Sequence, residues 1–200
     1  VLGGYFRRGA STEALAAVAA CADALGATAE LALPEAARAR AAAYLITASE
    51  GAALHLDRLR TRPDAFDPAV RDRLLAGALI PAPVVVQAQK LRRWFRAQVL
   101  EVFRSVDVLL APATPCTAPL IGQQNFVIDG EELPVRPNLG LYTQPLSFIG
   151  LPVVAVPVPG DPLPLGVQVV AAPWREAEVL RIAAALEQAG VARAPRPPEA

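Results

Sequence analysis

Apolar positions recur along this chain in two rhythms. Leu15, Val18, Ala19, Ala22 and Leu25 return at helical spacing, with Ser11 placed as an N-cap, Glu13 in the first turn and Gly26 as the stop. Pro34 is expected to open a longer helix running to about Arg60, with a stripe of Ala37, Ala41, Tyr44, Leu45, Ala48, Ala52 and Leu56. After a loop over Thr61–Pro68, Asp67-Pro68 starts a helix to about Leu79. Beyond Pro81 and Pro83, Val84–Ser105 reads as another, with Trp94 and Phe95 on its faces, and Glu176–Gln188 as the last, stopped by Gly190.

Short continuous apolar runs predict buried strands at Val1–Phe6, Glu30–Leu33, Asp107–Ala111, Val153–Val158 and Leu165–Val170. Asn125–Arg136 reads as a hairpin about Asp129-Gly130. Residues 112–119 hold three prolines, which lack amide donors, and are expected to be irregular. Helices interleaved with buried strands give an α/β fold with a mixed central sheet flanked by helices. Residues 1–192 form the folded part, and 193–200, rich in Pro and Arg, form a loose tail.

The 200 residues suit one domain or part of a larger one. Nineteen cationic side chains balance nineteen carboxylates, so nothing in the net charge points to nucleic acid or an anionic membrane. No apolar run reaches the roughly 18 residues of a membrane span, and the first residues do not pair a basic n-region with an h-region. Cys21 and Cys116 read as free thiols, which places the protein in a reducing cytoplasm. The chain opens on Val1 in an apolar run and contains no methionine, so it is expected to begin inside a fold, as a fragment.

The chain offers few side chains in catalytic patterns. His55 is the single histidine, so no metal-ligand set is present, and no metal or cofactor is expected. The nucleophile elbow, the P-loop and the dinucleotide fingerprint are absent. Ser11, Ser49, Ser105 and Ser147 all lie outside Gly-rich turns that would expose a nucleophile. Lys90, the one lysine, sits mid-helix near Gln87, Gln89 and Arg92 and reads as a solvated face. Spacing and chemistry alone yield no complete active site.

Three motifs carry a resemblance. Asp107-Val108-Leu109-Leu110-Ala111-Pro112-Ala113-Thr114-Pro115 is followed by Thr143-Gln144-Pro145-Leu146-Ser147-Phe148-Ile149-Gly150-Leu151-Pro152, and then by Leu163-Pro164-Leu165-Gly166-Val167-Gln168. In order and spacing they resemble the C-terminal half of amidase-signature hydrolases, with Ser147 where the family usually has Asn. V-L-G-G-Y-F and Y-L-I-T-A-S-E-G-A also fit, so the likeness spans nearly the whole chain. F-D-P-A-V-R-D-R-L-L-A-G-A-L, L-R-R-W-F-R and R-P-N-L-G-L-Y-T-Q-P look most like the 1-carboxybiuret hydrolase type within that family.

The resemblance implies an amidase that releases ammonia from a urea-like or carboxylated biuret substrate. A neutral lysine would draw a proton through a bridging serine from a nucleophilic serine, with backbone amides holding the oxyanion. All of these residues would lie upstream of Val1, so the chain alone is expected to be inactive. Implied partners are the small amide substrate, the missing N-terminal half, and a second copy or a small accessory subunit.

For substrate binding, the resemblance points to Tyr44 and Arg73, a planar guanidinium being suited to a carboxylate; a core tyrosine and a surface arginine are the plain alternatives. Gln144 would donate to a substrate carbonyl or brace its loop, and His55 would face a pocket or pack in a core or interface. Cys116 could line the pocket, but it lacks a basic neighbour to make it a nucleophile. Relatives that take glutamine offer an aspartate where this chain has Gly140, which argues against a glutamine substrate, and Arg136 nearby favours an anion. The alternatives are the A-type chain of a tRNA-dependent amidotransferase, or a non-catalytic binding module derived from the fold.

Overall fold

The computed structural model describes residues 1–128, 130–160 and 162–194. The chain divides into two compact units, 1–34 together with 98–200, and 35–97. Of the predicted tail, all but Arg193 and Ala194 lies outside the described residues, and Arg193 is tied by its amide to the carbonyl of Pro157 at 2.9 Å.

In the first unit, helix α1 spans Thr12–Ala24. Ser11 Oγ accepts from the Ala14 amide at 3.2 Å, and Gly26, at φ +64, turns the chain out after Leu25. The helices of the second unit are α2 (Ala36–Thr61), α3 (Pro68–Ala78) and α4 (Ala82–Val102), the last continuing into the first unit. The strands are β1 (Val108–Pro112), β2 (Asn125–Ile128), β3 (Glu131–Pro134), β4 (Val153–Val158) and β5 (Leu165–Ala171). Short helices α5 (Val135–Asn138) and α6 (Gln144–Ser147) follow the hairpin, and α7 spans Glu176–Gln188.

The main sheet runs β1-β5-β4 with antiparallel ladders, and among the described residues the parallel pairing is a single bridge, Leu2 with Leu31. The two strands expected at Val1–Phe6 and Glu30–Leu33 therefore reduce to that bridge. Gly4 takes φ +58, and Gly4–Phe6 coils into a 3-10 turn that sinks Phe6 instead of extending. Helix α1 packs on β1 and β5, and α7 on β4 and β5. Leu109, Leu110, Val167, Val169 and Val170 are almost fully buried. Neighbours along β5 point to opposite faces, so burial at both 167/169 and 168/170 means that the strand is covered on both sides.

The hairpin forms as expected, β2 on β3, with Gly130 at φ +78; its other turn residue, Asp129, lies outside the described residues. Phe126, Ile128 and Val135 make a small core with Cys116, Leu133 and Leu139 against it.

In the second unit α2 begins after Pro34, with Glu35 in the left-handed region at φ 57, so proline precedes the helix and is not in its first turn. Asp67 caps α3 through Oδ1, accepting from Ala69 and Val70 at 3.0 and 3.3 Å. The buried face of α2 is Ala36, Ala39, Ala42, Ala43, Ile46, Ala48, Ala52 and Leu59. Ala37, Ala41 and Tyr44 of the expected stripe are exposed, because an alanine-rich helix offers little apolar contrast to fix its rotation. Helices α2 and α3 approach to backbone contact: a Cβ on Gly77 would collide with the carbonyl of Ala48, and one on Gly51 would lie 2.8 Å from Leu74 Cδ2.

Candidate functional site

Gln144 opens α6, in a loop braced from behind. Tyr142 is fully buried, its hydroxyl donates to the Arg8 carbonyl at 2.7 Å, and the Tyr5 hydroxyl donates to the Leu141 carbonyl at 2.9 Å. Tyr5, Phe6 and Tyr142 pack ring to ring, with centroids 5.3–6.3 Å apart. Gln168 Nε2 donates to the carbonyls of Tyr142 and Pro112, and Pro145 and Leu146 are buried. The backbone around Gln144 is thus held at 141, 142, 145 and 146, while its half-buried side chain lies over Gly140, where a Cβ would stand 3.4 Å from its Cγ and Cδ. Ser147 is exposed, and its hydroxyl donates weakly to the Gln144 carbonyl at 3.5 Å.

The Pro-rich segment after β1 is irregular beyond Pro112 and is pinned at both ends. Ala113 donates to the Gly166 carbonyl at 2.8 Å, and Pro115 accepts from the Ser11 amide at 2.7 Å. Cys116, in that segment, is half-buried, and burial pushes its thiol above the ordinary range, so it is not a thiolate nucleophile at neutral pH.

The second unit brings two of the expected site residues together. Arg73 Cζ lies 4.4 Å from the centroid of the Tyr44 ring, a cation–π contact between α3 and α2. Tyr44 is 44% exposed and so is not a core tyrosine. Among the described residues neither the Arg73 guanidinium nor the Tyr44 hydroxyl has a hydrogen-bond or ion-pair partner. The guanidinium N–H groups thus have no acceptor among the described residues, and such a group binds a carboxylate through two parallel bonds.

His55 is elsewhere on α2. Its ring meets Phe66 edge-on at 5.8 Å, and the Arg58 guanidinium lies 5.6 Å from the Phe66 ring. Eleven residues of helix separate it from Tyr44, about 16 Å at 1.5 Å per residue. Lys90 is exposed on α4, as expected. Among the described residues no three His, Cys, Asp or Glu side chains gather as a metal site. Neither Gln168 nor Tyr142 is among the expected site residues. The available signal was a lone amide in a strand apolar on both faces, which must find hydrogen-bond partners.

The three-part pattern now has a location: the end of β1, the braced loop with α6, and the start of β5. The Amidase family model matches residues 10–180. This chain belongs to the amidase family. It is 49% identical over 196 residues to the 1-carboxybiuret hydrolase protein AtzE of Pseudomonas sp. (strain ADP), covering 96% of this amidase chain and 43% of that protein. A solved structure of a vestigial protein complex, described as revealing the evolutionary origins of an s-triazine catabolic enzyme, matches with TM-score 0.92 at 49% identity, over 96% of this chain and 43% of that one. The A-type chain of the glutamyl-tRNA(Gln) amidotransferase of Acinetobacter baumannii (strain AYE) is 37% identical over 131 residues, covering 62% of this chain and 25% of its own length. The likeness to the amidotransferase is therefore the weaker one. The amidase chain spans 43% of the length of the carboxybiuret relative. Among the described residues no single helix is long and apolar enough to cross a membrane.

Proposed function

We propose that this chain is part of an amide hydrolase acting on a small, anionic, urea-like substrate of the carboxylated biuret class. Arg73, seated over the Tyr44 ring, takes the substrate carboxylate. His55 is assigned to packing on Phe66. The serine–serine–lysine machinery of the family comes from the part of the amidase outside this chain, and the chain alone turns over nothing. Its partners are that remaining part and a second copy or a small accessory subunit. We place the protein in the cytoplasm, a reading supported by its two free thiols.

The observation that carries this reading is the Arg73–Tyr44 contact. A half-buried cation is held over an aromatic ring with its donors unclaimed by any described carboxylate. Its test is the kinetics of full-length Arg73→Ala and Arg73→Lys amidase on carboxylated biuret and on neutral biuret. Losing a bidentate charge-assisted pair costs about 3 kcal/mol, so Arg73→Ala lowers kcat/KM on the anionic substrate about a hundredfold. The neutral substrate is affected far less, and Lys restores only part of the loss. Equal losses on both substrates would sink the carboxylate assignment.

A further inference from the structure

We propose that the groove between α2 and α4 docks an acidic amphipathic helix of a partner protein. The groove encloses about 470 Å³ within the second unit. Its floor is aliphatic, made by Ala42 and Leu45 of α2 and by Ala88 and Leu91 of α4. Its rim carries Arg38 and Lys90, and Trp94 stands 42% exposed beside it. Among the described residues no carboxylate lines it.

Charge distribution selects the partner. The whole chain is neutral, yet residues 35–97 hold eleven cationic side chains against six carboxylates, a net +5. Along α4 the run Lys90-Leu91-Arg92-Arg93 contains no acid, and among the described residues Lys90, Arg92 and Arg93 have no ion-pair partner. Among the described residues Arg38 pairs with exposed Glu35 at 3.3 Å, a pair worth little in water.

The aliphatic floor decides the class of partner. A nucleic acid would satisfy the cations but leave the alanine and leucine surface wet, and one exposed tryptophan is a poor stacking platform. An amphipathic helix satisfies both, with apolar side chains at i, i+3 or i+4 and i+7 on the floor and Glu or Asp toward Arg38 and Lys90. Alanines at the contact let it lie close. This gives a chemistry to the accessory partner of the proposed amidase, and it holds whichever amide that enzyme cleaves.

The test is calorimetry of full-length amidase with a designed helical peptide of about 18 residues, leucines on one face and glutamates elsewhere. Its controls are the same leucine pattern with lysines and a scrambled peptide of equal charge. We expect the acidic peptide to bind, to weaken with salt, and to lose about tenfold or more in Lys90→Glu and in Trp94→Ala. Both variants should keep wild-type melting temperature and amidase rate. Equal binding of the lysine or scrambled peptide would overturn the proposal, as would variants that bind like wild type. Displacement of the acidic peptide by oligothymidylate bound at Lys90 would reassign the surface to nucleic acid. A wild-type dimer that Lys90→Glu dissociates, and that excludes the peptide, would assign it to a second copy. Because the readout is binding, inactivity on carboxylated biuret would count against the hydrolase reading and leave this result intact.

Discussion

Gln168 Nε2 donates to the carbonyl of Tyr142 at 3.3 Å and to that of Pro112 at 2.8 Å. One buried amide on β5 therefore ties the end of β1 to the loop that presents Gln144. The side chain is 2% exposed, so neither carbonyl has water to fall back on if the amide is lost.

Gln168→Leu keeps the volume and removes both donors. It should lower the unfolding free energy by about 2–4 kcal/mol, the cost of stranding two buried acceptors, as read by urea titration. Gln168→Glu should be worse at neutral pH, because a carboxylate has no donor to offer two carbonyls. Burial against those oxygens would raise its folded pKa above the unfolded value. The variant should then be most stable at low pH and lose stability as pH rises, the reverse of a salt-bridged acid.

Gly77 faces the Ala48 carbonyl with no room for a Cβ. Alanine in a helix interior ordinarily gains about 1 kcal/mol over glycine. Here Gly77→Ala should instead destabilise by about 1–3 kcal/mol, because α3 must move off α2. The Arg73–Tyr44 contact belongs to the same helix pair, so substrate affinity should fall with it. A stabilised Gly77→Ala protein would contradict the close approach.

Cys21 is fully buried, and desolvation pushes its thiol from the ordinary value near 9.0 to about 11. The folded state then holds its proton after the unfolded state has released it. That stabilisation is complete below about pH 9 and is lost as pH rises from about 9 to 11. Melting temperature should fall across that window, and less so in Cys21→Ala. Iodoacetamide at pH 8 should label half-buried Cys116 first, with Cys21 reacting only on unfolding.

The Tyr44 ring, not its hydroxyl, meets the Arg73 guanidinium. Tyr44→Phe should leave KM for an anionic substrate within about twofold. Tyr44→Leu should raise it by about 2- to 30-fold, the equivalent of a cation–π contact of about 0.5–2 kcal/mol. Equal KM values in the two variants would show that the stack does not orient the guanidinium.

Local order was legible in the sequence because it depends on neighbours in the chain. Ser11 and Asp67 cap their helices through their own side chains. The hairpin over 125–134 and the helix at Glu176–Gln188 form where turn residues and periodicity put them. The three-part motif pattern likewise marked the family, and with it the segments at β1, the braced loop and β5.

What the sequence left open depends on distant partners. Val1–Phe6 and Glu30–Leu33 have strand-like composition, but their pairing stops at one bridge, since Gly4 turns the chain and Phe6 is drawn inward. The rotation of α2 could not be read from a helix in which nearly every turn holds alanine, so Tyr44 emerged on the outside, and only packing against α3 set Arg73 on its ring. The partners of Gln168, 26 and 56 residues away, were equally invisible. Caps, turns and periodicity are short-range properties that the sequence by itself determined. The Arg73–Tyr44 stack and the Gln168 brace join residues far apart in the chain, and only the packing of whole elements decided them.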